Sequence, residues 1–214
     1  NDIKGRLVKV LIDNEKLKGM QTIYWSGTND LGIKVQSGIY FYTLETEGFK
    51  ETKKIEVVEF FGLFCPHCRN FSPVIKRWAE SLPENVEFRK LHVPFREISH
   101  QRLYFTLKKM GLVDKYLDKL FLDIQDKRMP LKDFLSISVW LEDNGVAIET
   151  FEKQWNSDKV KSDMKEASLL MKSFEITGVP QIIVDGEFLT SPAMVGSNRR
   201  IIGLLNYLIS ERAR

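Results

Sequence analysis

The sequence predicts an α/β fold that a helical block interrupts and that a small β region precedes. First, an apolar run over Val57–Phe64 leads directly into a helix that begins at Pro66. Second, the stretch from Arg102 to about Trp155 keeps helical periodicity and has almost no strand signal. Third, the chain ends in helix, hairpin and helix, with the turn formers Asp185-Gly186 between two short strands.

The first 50 residues alternate strand patterns with turn formers. Strands are predicted over 6–11, 21–25 and 38–44, and glycine-containing turns lie between them. Between Gly48 and Lys54 the sequence pattern changes from short strands and turns to one strand followed by long helical periods. We therefore expect residues 1–52 to form a separate, partial β region. Its last strand could join the sheet of the following domain.

The remaining elements follow from periodicity, prolines and caps. The helix that begins at Pro66 stops before Pro83, and Ser157 is a suitable cap for a helix over Asp158–Phe174. The other predicted elements are a strand at Val86–Val93, strands at Gln181–Val184 and Glu187–Leu189, and a helix at Asn198–Arg212. This is the order of a thioredoxin fold, formed by residues 53–98 and 157–214, with a helical domain inserted at 99–156. Large apolar residues of the insertion are expected to pack internally, among them Leu120, Phe121, Phe134 and Trp140.

Composition excludes several classes of protein. The 214 residues are 29% charged and 43% hydrophobic, with a net charge of +3, the balance of an ordinary globular protein. Basic pairs such as Lys53-Lys54 are too short to predict nucleic-acid binding. No apolar run is long enough to span a membrane. No signal peptide is visible, so we expect any export signal to have been removed or to lie outside this sequence.

The two cysteines of the chain, Cys65 and Cys68, form the motif Cys65-Pro66-His67-Cys68 at a junction between strand and helix. A sulfur at a helix N-terminus lies near free backbone N–H groups and the positive end of the helix dipole, which stabilise its thiolate. The second cysteine, one turn later, is placed to close a small ring with the first. The motif therefore predicts redox chemistry in which the cysteine pair itself carries two electrons, with no cofactor or metal.

Two other interpretations of the cysteines are a structural disulfide and a zinc site. A bridge across two residues closes almost no loop and would add little stability through chain entropy. A closed zinc site needs four ligands, and only His67, His92 and His100 could complete it, none at a paired spacing. Redox chemistry is the favoured interpretation.

Four segments resemble the DsbA family of thiol oxidases, and the resemblance covers the chain from about Lys53 to the C-terminus. They are Glu59-Phe60-Phe61 before the thiol motif, Lys90–Phe95, Gly178-Val179-Pro180 and Leu189–Pro192. The resemblance implies a periplasmic enzyme that donates disulfides to unfolded or partly folded exported proteins. It also implies reoxidation by a membrane partner of the DsbB kind, linked to quinone. We expect a monomer.

The family resemblance gives each motif residue a role. Cys65 would be the exposed nucleophile that forms the mixed disulfide with substrate, and Cys68 the shielded resolving thiol. His67 would favour the Cys65 thiolate, which stabilises the reduced form and makes the disulfide more oxidising. The alternative for His67 is a surface histidine without consequence.

Outside the motif, the resemblance points to Pro180 and to a charged pair. A cis Val179–Pro180 bond facing the thiols would leave the Val179 backbone free to pair with an extended substrate; a trans proline at a strand edge is the alternative. Glu59 and Lys90 would lie beneath Cys68 and relay its proton, unless they are an ordinary pair at a strand edge. Family members often carry a further acid at the position that Ser72 occupies here, which weakens the expectation of a full acidic network.

Substrate binding is expected to be shallow and apolar, because an oxidase of many unfolded chains cannot depend on specific polar contacts. Candidates for the rim of such a groove are Leu63, Phe64, Pro66, Val179 and Met194.

Residues 1–50 do not fit the DsbA pattern. They resemble the later strands of the FlgD-like β-sandwich used as a type IX secretion sorting domain, without its opening strands. Two rival functions therefore stay open. One is a disulfide reductase or isomerase on the same scaffold; the other is a non-catalytic sorting or binding module centred on residues 1–50.

Overall fold

The structure of the protein is a computed structural model. It describes Asp2 and residues 6–11, 25–36 and 54–212. The chain divides into two compact units, Asn1–Thr52 and Lys53–Arg214. Each unit is described by itself.

The described part of the first unit is built on turns. Thr28 and Lys34 form an isolated antiparallel bridge around a turn, and Trp25 Nε1 donates to the Thr28 carbonyl at 2.7 Å. The strand predicted over residues 6–11 is not formed, since these residues belong to no helix or strand. Their backbone bonds are local to this unit: Val10 N–H, for example, donates to the Asp30 carboxylate at 3.0 Å. The strand predicted over residues 38–44, which could join the sheet, lies outside the described residues. So does most of the strand predicted over residues 21–25.

The second unit contains a four-stranded sheet. Its strands are β1 (Ile55–Phe61), β2 (Val86–His92), β3 (Gln181–Val184) and β4 (Phe188–Thr190), in the order β2-β1-β3-β4. β1 and β2 are parallel, whereas β3 is antiparallel to both β1 and β4. The central strand β1 is nearly all buried, as expected of a strand covered on both faces.

Eight helices surround this sheet in the described part of the chain. They are α1 (Pro66–Ala79), α2 (Ile98–Lys109), α3 (Val113–Gln125), α4 (Phe134–Asp143), α5 (Ile148–Trp155), α6 (Asp158–Ser173), α7 (Pro192–Val195) and α8 (Asn198–Arg212). α2 to α5 form the inserted helical block. Ser157 caps α6 as predicted, with its side chain accepting from the Val160 N–H.

One hydrophobic cluster lies between the sheet, α1 and α8. It includes Val57, Ile75, Ile182 and Leu205, each fully buried. Trp78 Nε1 donates to Asn206 Oδ1 at 2.7 Å, which joins α1 to α8. This cluster fixes the helix that carries the thiols.

Aromatic contacts join the sheet to the helical block. The Phe61 ring, at the end of β1, packs edge-on against Tyr104 of α2 and Phe121 of α3, with ring centroids 4.9 and 6.2 Å apart. Inside the block, Trp140 and Leu120 are buried as predicted. The helical block therefore packs directly against the strand that leads to the thiols.

The sequence did not mark the end of β1 and missed one short helix. β1 ends at Phe61, whereas the apolar run continues to Phe64, because residues 62–64 form the turn into α1. The short helix α7 begins at Pro192 behind the N-cap Ser191, and four residues are too few for a helical period to show. In the described part of the chain, every helix falls short of the length and apolarity needed to cross a membrane.

Candidate active site

Cys65 is the N-cap residue of α1. Its backbone is extended, and its N–H donates to the Gly62 carbonyl at 3.0 Å, which closes the turn after β1. Pro66 follows in the first turn of the helix, where no backbone N–H is needed. The strand–turn–helix sequence thus places a sulfur where N-cap oxygens usually lie.

The Cys65 sulfur makes two hydrogen bonds in the described part of the chain. It accepts from the Cys68 N–H at 3.3 Å and donates its proton to the Val179 carbonyl at 3.2 Å. Both cysteines are free thiols, so this is the reduced form. Cys68 is fully buried, whereas Cys65 keeps 7% of its surface exposed. Only Cys65 can meet a substrate sulfur.

The two thiols have opposite acidities. Hydrogen bonds from the Cys68 thiol and from the Cys68 and His67 backbone N–H groups lower the pKa of Cys65 to about 6, against the opposing effect of burial. Burial raises the pKa of Cys68 far above its ordinary value, and the neighbouring Cys65 adds to the rise. At neutral pH the site therefore holds one thiolate and one thiol.

His67 is exposed beside this thiolate. A positive charge on its ring would lower the pKa of Cys65, and this effect is smaller than those of the Cys68 thiol and the two backbone N–H groups. The larger part of the effect therefore comes from the geometry of the N-cap, and the role of the His67 side chain stays a prediction.

The Val179–Pro180 peptide bond is cis, the geometry that the sequence analysis expected. Val179 is half-buried and Pro180 is buried against the start of β3. In this reduced state the Val179 carbonyl is occupied by the Cys65 thiol, rather than free for a substrate strand. Ionisation of Cys65 removes the shared proton and releases this carbonyl.

Glu59 and Lys90 face each other across the parallel pair β1–β2. They share a register position, and Lys90 Nζ lies 3.2 Å from Glu59 Oε2. Glu59 is fully buried, and burial raises its pKa although the Lys90 charge opposes the rise. The Glu59 charge in turn raises the pKa of Cys68, so the two groups act on each other electrostatically.

Lys90 has two further neighbours. Ser72 Oγ lies 3.4 Å from its Nζ, and the Phe61 ring centroid lies 5.2 Å away. Ser72, at the position where the family resemblance implied an acid, is buried, so the described contacts of Lys90 include one carboxylate, one hydroxyl and one aromatic face. This is the departure that the sequence analysis noted.

Sequence reasoning missed three polar residues that hold the turn before Cys65. His92 Nε2 accepts from the Leu63 N–H at 3.0 Å, and Gln125 Nε2 donates to the Leu63 carbonyl at 2.7 Å. Gln101 Nε2 donates to the His92 carbonyl at 2.8 Å. The sequence carried only a weak signal for these residues. His92 stands at the end of a buried strand, and nothing in the sequence marks Gln101 and Gln125, on two different helices, as lying near the turn.

Four of the five predicted rim residues have accessible side chains. Pro66 and Met194 are exposed, while Phe64 and Val179 are half-buried. Leu63 is the exception, since it is fully buried and belongs to the core. The Arg96 guanidinium lies over the Phe64 ring, 5.4 Å from its centroid, and adds a positive charge near the rim.

The described residues include no cluster of three or more side chains that could hold a metal ion.

Comparisons with known proteins found two matching family models. The model of the DSBA-like thioredoxin domain matches residues 98–204, and the thioredoxin model matches residues 43–102. The thiol:disulfide interchange protein DsbA of Azotobacter vinelandii is 34% identical over 160 residues, covering 74% of this chain and 75% of the relative. The DsbA of Pseudomonas aeruginosa is 34% identical over 163 residues, covering 75% of this chain and 77% of the relative.

Solved structures agree. The crystal structure of Pseudomonas aeruginosa DsbA has a TM-score of 0.72 at 32% identity and covers 77% of this chain and 86% of that chain. A structure of Proteus mirabilis DsbA with a non-covalently bound peptide has a TM-score of 0.66 at 25% identity, covering 72% of this chain and 88% of that one. The predicted family and the predicted thioredoxin fold with a helical insertion are confirmed. With a reactive cysteine at the N-terminus of α1 and these relatives, the chain belongs to the DsbA family of thiol:disulfide oxidoreductases.

Proposed function

We propose that the protein donates disulfide bonds to exported proteins in the periplasm, through the Cys65–Cys68 pair. The observation that carries the proposal is the contrast between the sulfurs: Cys65 is partly exposed and acidic, whereas Cys68 is buried and stays protonated. A dithiol whose reduced form is stabilised as a thiolate has an oxidising disulfide, and this family is itself a standard example.

The proposed reaction has two exchange steps. A substrate thiolate attacks Cys65 Sγ of the oxidised protein, the Cys65–Cys68 bond breaks, and Cys68 leaves with the electron pair as a thiolate. A second substrate thiolate then attacks the substrate sulfur of the mixed disulfide, and Cys65 leaves as a thiolate. The substrate is oxidised by two electrons and the cysteine pair is reduced.

Glu59 is the proposed proton donor to Cys68 in the first step. The departing Cys68 is fully buried and must be neutralised, because a buried unpaired thiolate is costly. Glu59 is also buried, and burial raises its pKa, which is the direction that a proton donor requires. Lys90 then stabilises the Glu59 carboxylate at 3.2 Å until it is protonated again.

The substrate is proposed to lie across Val179 and the accessible rim of Phe64, Pro66 and Met194. In the oxidised protein Cys65 carries no thiol proton, so the Val179 carbonyl is available to a backbone N–H of an extended chain. The shallow apolar rim suits unfolded or partly folded proteins. The peptide bound to Proteus mirabilis DsbA supports this class of ligand. Reoxidation by a DsbB-like, quinone-linked membrane protein completes the proposed cycle.

The proposed domain organisation assigns this chemistry to residues 53–98 and 157–214, with residues 99–156 as a helical insertion. The division of the chain after Thr52 supports a separate first unit. The FlgD-like resemblance of residues 1–50 stays a prediction, since many of the residues that carry it lie outside the described part.

The test is to trap the mixed disulfide. Cys68→Ala should accumulate a covalent adduct with an oxidised peptide or protein through Cys65, detected by mass spectrometry, whereas Cys65→Ala should form none. The oxidised wild-type protein should form disulfides in a reduced, unfolded substrate and should lose its own Cys65–Cys68 disulfide. If it instead only reduces insulin-type disulfides, the reductase or isomerase alternative holds.

A further inference from the structure

The backbone N–H and the carbonyl of Leu63, two residues before Cys65, are both hydrogen-bonded by side chains from other elements. Its N–H donates to His92 Nε2 at 3.0 Å, and its carbonyl accepts from Gln125 Nε2 at 2.7 Å. The Leu63 side chain is fully buried. We call these two residues, His92 and Gln125, the Leu63 clamp.

The His92 half of the clamp is rigid. The ring is fully buried at the end of β2, with its edge toward Phe61 at a centroid distance of 5.1 Å. Gln101 Nε2 fixes the His92 carbonyl at 2.8 Å. Since Nε2 accepts a hydrogen bond, the neutral ring carries its proton on Nδ1. Burial lowers the pKa of His92 to about 3, so this acceptor persists at neutral pH.

The Gln125 half comes from the inserted helical block. Gln125 is the last residue of α3 and is half-buried. The next residue, Asp126, pairs with the Arg69 guanidinium through two bonds of 2.5 and 2.8 Å. The end of α3 therefore contacts the chain just before Cys65 and just after Cys68.

We propose that Gln125 and His92 are positioning residues for the thiol chemistry, because they fix the turn that places Cys65 at the N-cap of α1. The Gly62 carbonyl that accepts the Cys65 N–H at 3.0 Å belongs to the peptide bond whose nitrogen is Leu63. A turn free to move would carry the Cys65 sulfur away from the Cys68 N–H that it now meets at 3.3 Å. The inserted helical block then takes part in redox tuning, an inference that rests on the proposed roles of Cys65 and Cys68.

The test is Gln125→Met, which keeps the length of the side chain and removes the donor. The matched control is Gln154→Met, the same change at a half-buried residue of α5. Ultraviolet titration of the thiolate gives the pKa of Cys65, and equilibration with glutathione gives the reduction potential. Gln125→Met should lower the ratio of Cys65 thiolate to Cys65 thiol at neutral pH by roughly threefold, which corresponds to part of the free energy of one hydrogen bond. It should also lower the reduction potential of the Cys65–Cys68 pair. Gln154→Met should match the unchanged protein.

Circular dichroism and thermal unfolding show whether each variant is folded. A folded Gln125→Met with unchanged thiolate pKa and potential would overturn the clamp, and so would an equal shift in Gln154→Met. Loss of the fold in Gln125→Met would also contradict it, since Gln125 would then serve the fold and not the turn. A measurement on the wild-type protein separates this proposal from the proposed function. An ordinary pKa for Cys65 in the wild-type protein would refute the proposed oxidase, whatever the variants do.

Discussion

At the scale of single residues, the acidity of Cys65 depends more on hydrogen bonds than on the neighbouring charge. The Cys68 thiol and two backbone N–H groups point to the sulfur, and the His67 charge adds a smaller effect. The sequence predicted the N-cap position and His67, because both are local to the motif. It could not show the contribution of the Cys68 thiol, which depends on the orientation of a side chain one turn away.

The hydrogen bond from the Cys68 side chain can be tested with two substitutions at that position. Cys68→Ser keeps a donor and Cys68→Ala removes it, so the pKa of Cys65 should be higher in Cys68→Ala by about half a unit to one unit. Thiolate absorbance against pH measures both values. Equal pKa values in the two variants would show that backbone N–H groups alone stabilise the thiolate.

The buried pair of Glu59 and Lys90 gives a prediction for stability. Glu59→Gln leaves the Lys90 ammonium, whose side chain is 14% exposed, without its carboxylate, which should destabilise the protein by about 2 kcal/mol. Adding Lys90→Met removes the unpaired cation and should recover most of that loss. Denaturant unfolding of the single and double variants measures both.

The same two variants also test the proposed proton donor. The double variant should remain slow in forming the mixed disulfide, because neither group can supply a proton to Cys68. A double variant that is stable and fully active would show that the pair serves the fold alone.

At the scale of elements, the turn of residues 62–64 positions the site. A Cβ on Gly62 would lie 2.5 Å from the Phe64 ring, so Gly62→Ala should push this ring from its place at the rim. We expect a several-fold weaker interaction with a peptide substrate and a fall in stability of about 1 kcal/mol, since the half-buried ring can move. Peptide titration by calorimetry and thermal unfolding measure the two effects. Tight peptide binding by Gly62→Ala would exclude Phe64 from the substrate surface.

Long elements with a clear period were predictable, and contacts between elements were not. The bounds of α8 match the prediction and those of α6 agree within a residue, because caps and apolar spacing mark them locally. α1 begins at Pro66 as predicted and ends at Ala79, before Pro83. The sequence did not mark the end of β1, since Leu63 and Phe64 continue the apolar run, one as core and one as rim. Gln125 was missed because its role depends on how α3 packs against that turn.

At the scale of the whole molecule, the site requires parts that lie far apart in the sequence. Cys65 meets Val179, more than 100 positions later, and the turn before it is held by β2 and α3. Sequence order predicted the thioredoxin pattern and the place of the insertion. It offered no reason to connect the insertion with the thiols.

Linkage gives a pH dependence for the folded protein. The pKa of Cys65 is lower in the fold than in the unfolded chain, so its thiolate stabilises the reduced protein fully above about pH 9. This stabilisation declines as the pH falls and is lost below about 6. Cys68 stays protonated in the fold because burial raises its pKa, whereas in the unfolded chain it ionises near its ordinary pKa, so it opposes the gain from Cys65 at the top of this range. The stability of the reduced form relative to the oxidised form should therefore rise with pH between about 6 and 8, by at most about 1.4 kcal/mol per pH unit, and level off above that.

Parallel denaturant curves of the two redox forms at several pH values measure this difference. If the difference in unfolding free energy between the two redox forms stayed constant across that pH range, the fold would not stabilise the Cys65 thiolate.

The reduction potential of the Cys65–Cys68 pair, measured by equilibration with glutathione and thiol trapping, tests the central claim most directly. The stabilised thiolate predicts a potential well above that of the glutathione pool, so that the disulfide is donated to substrates. A potential near that of thioredoxin, about −270 mV, would contradict the account and indicate a reductase on the same fold.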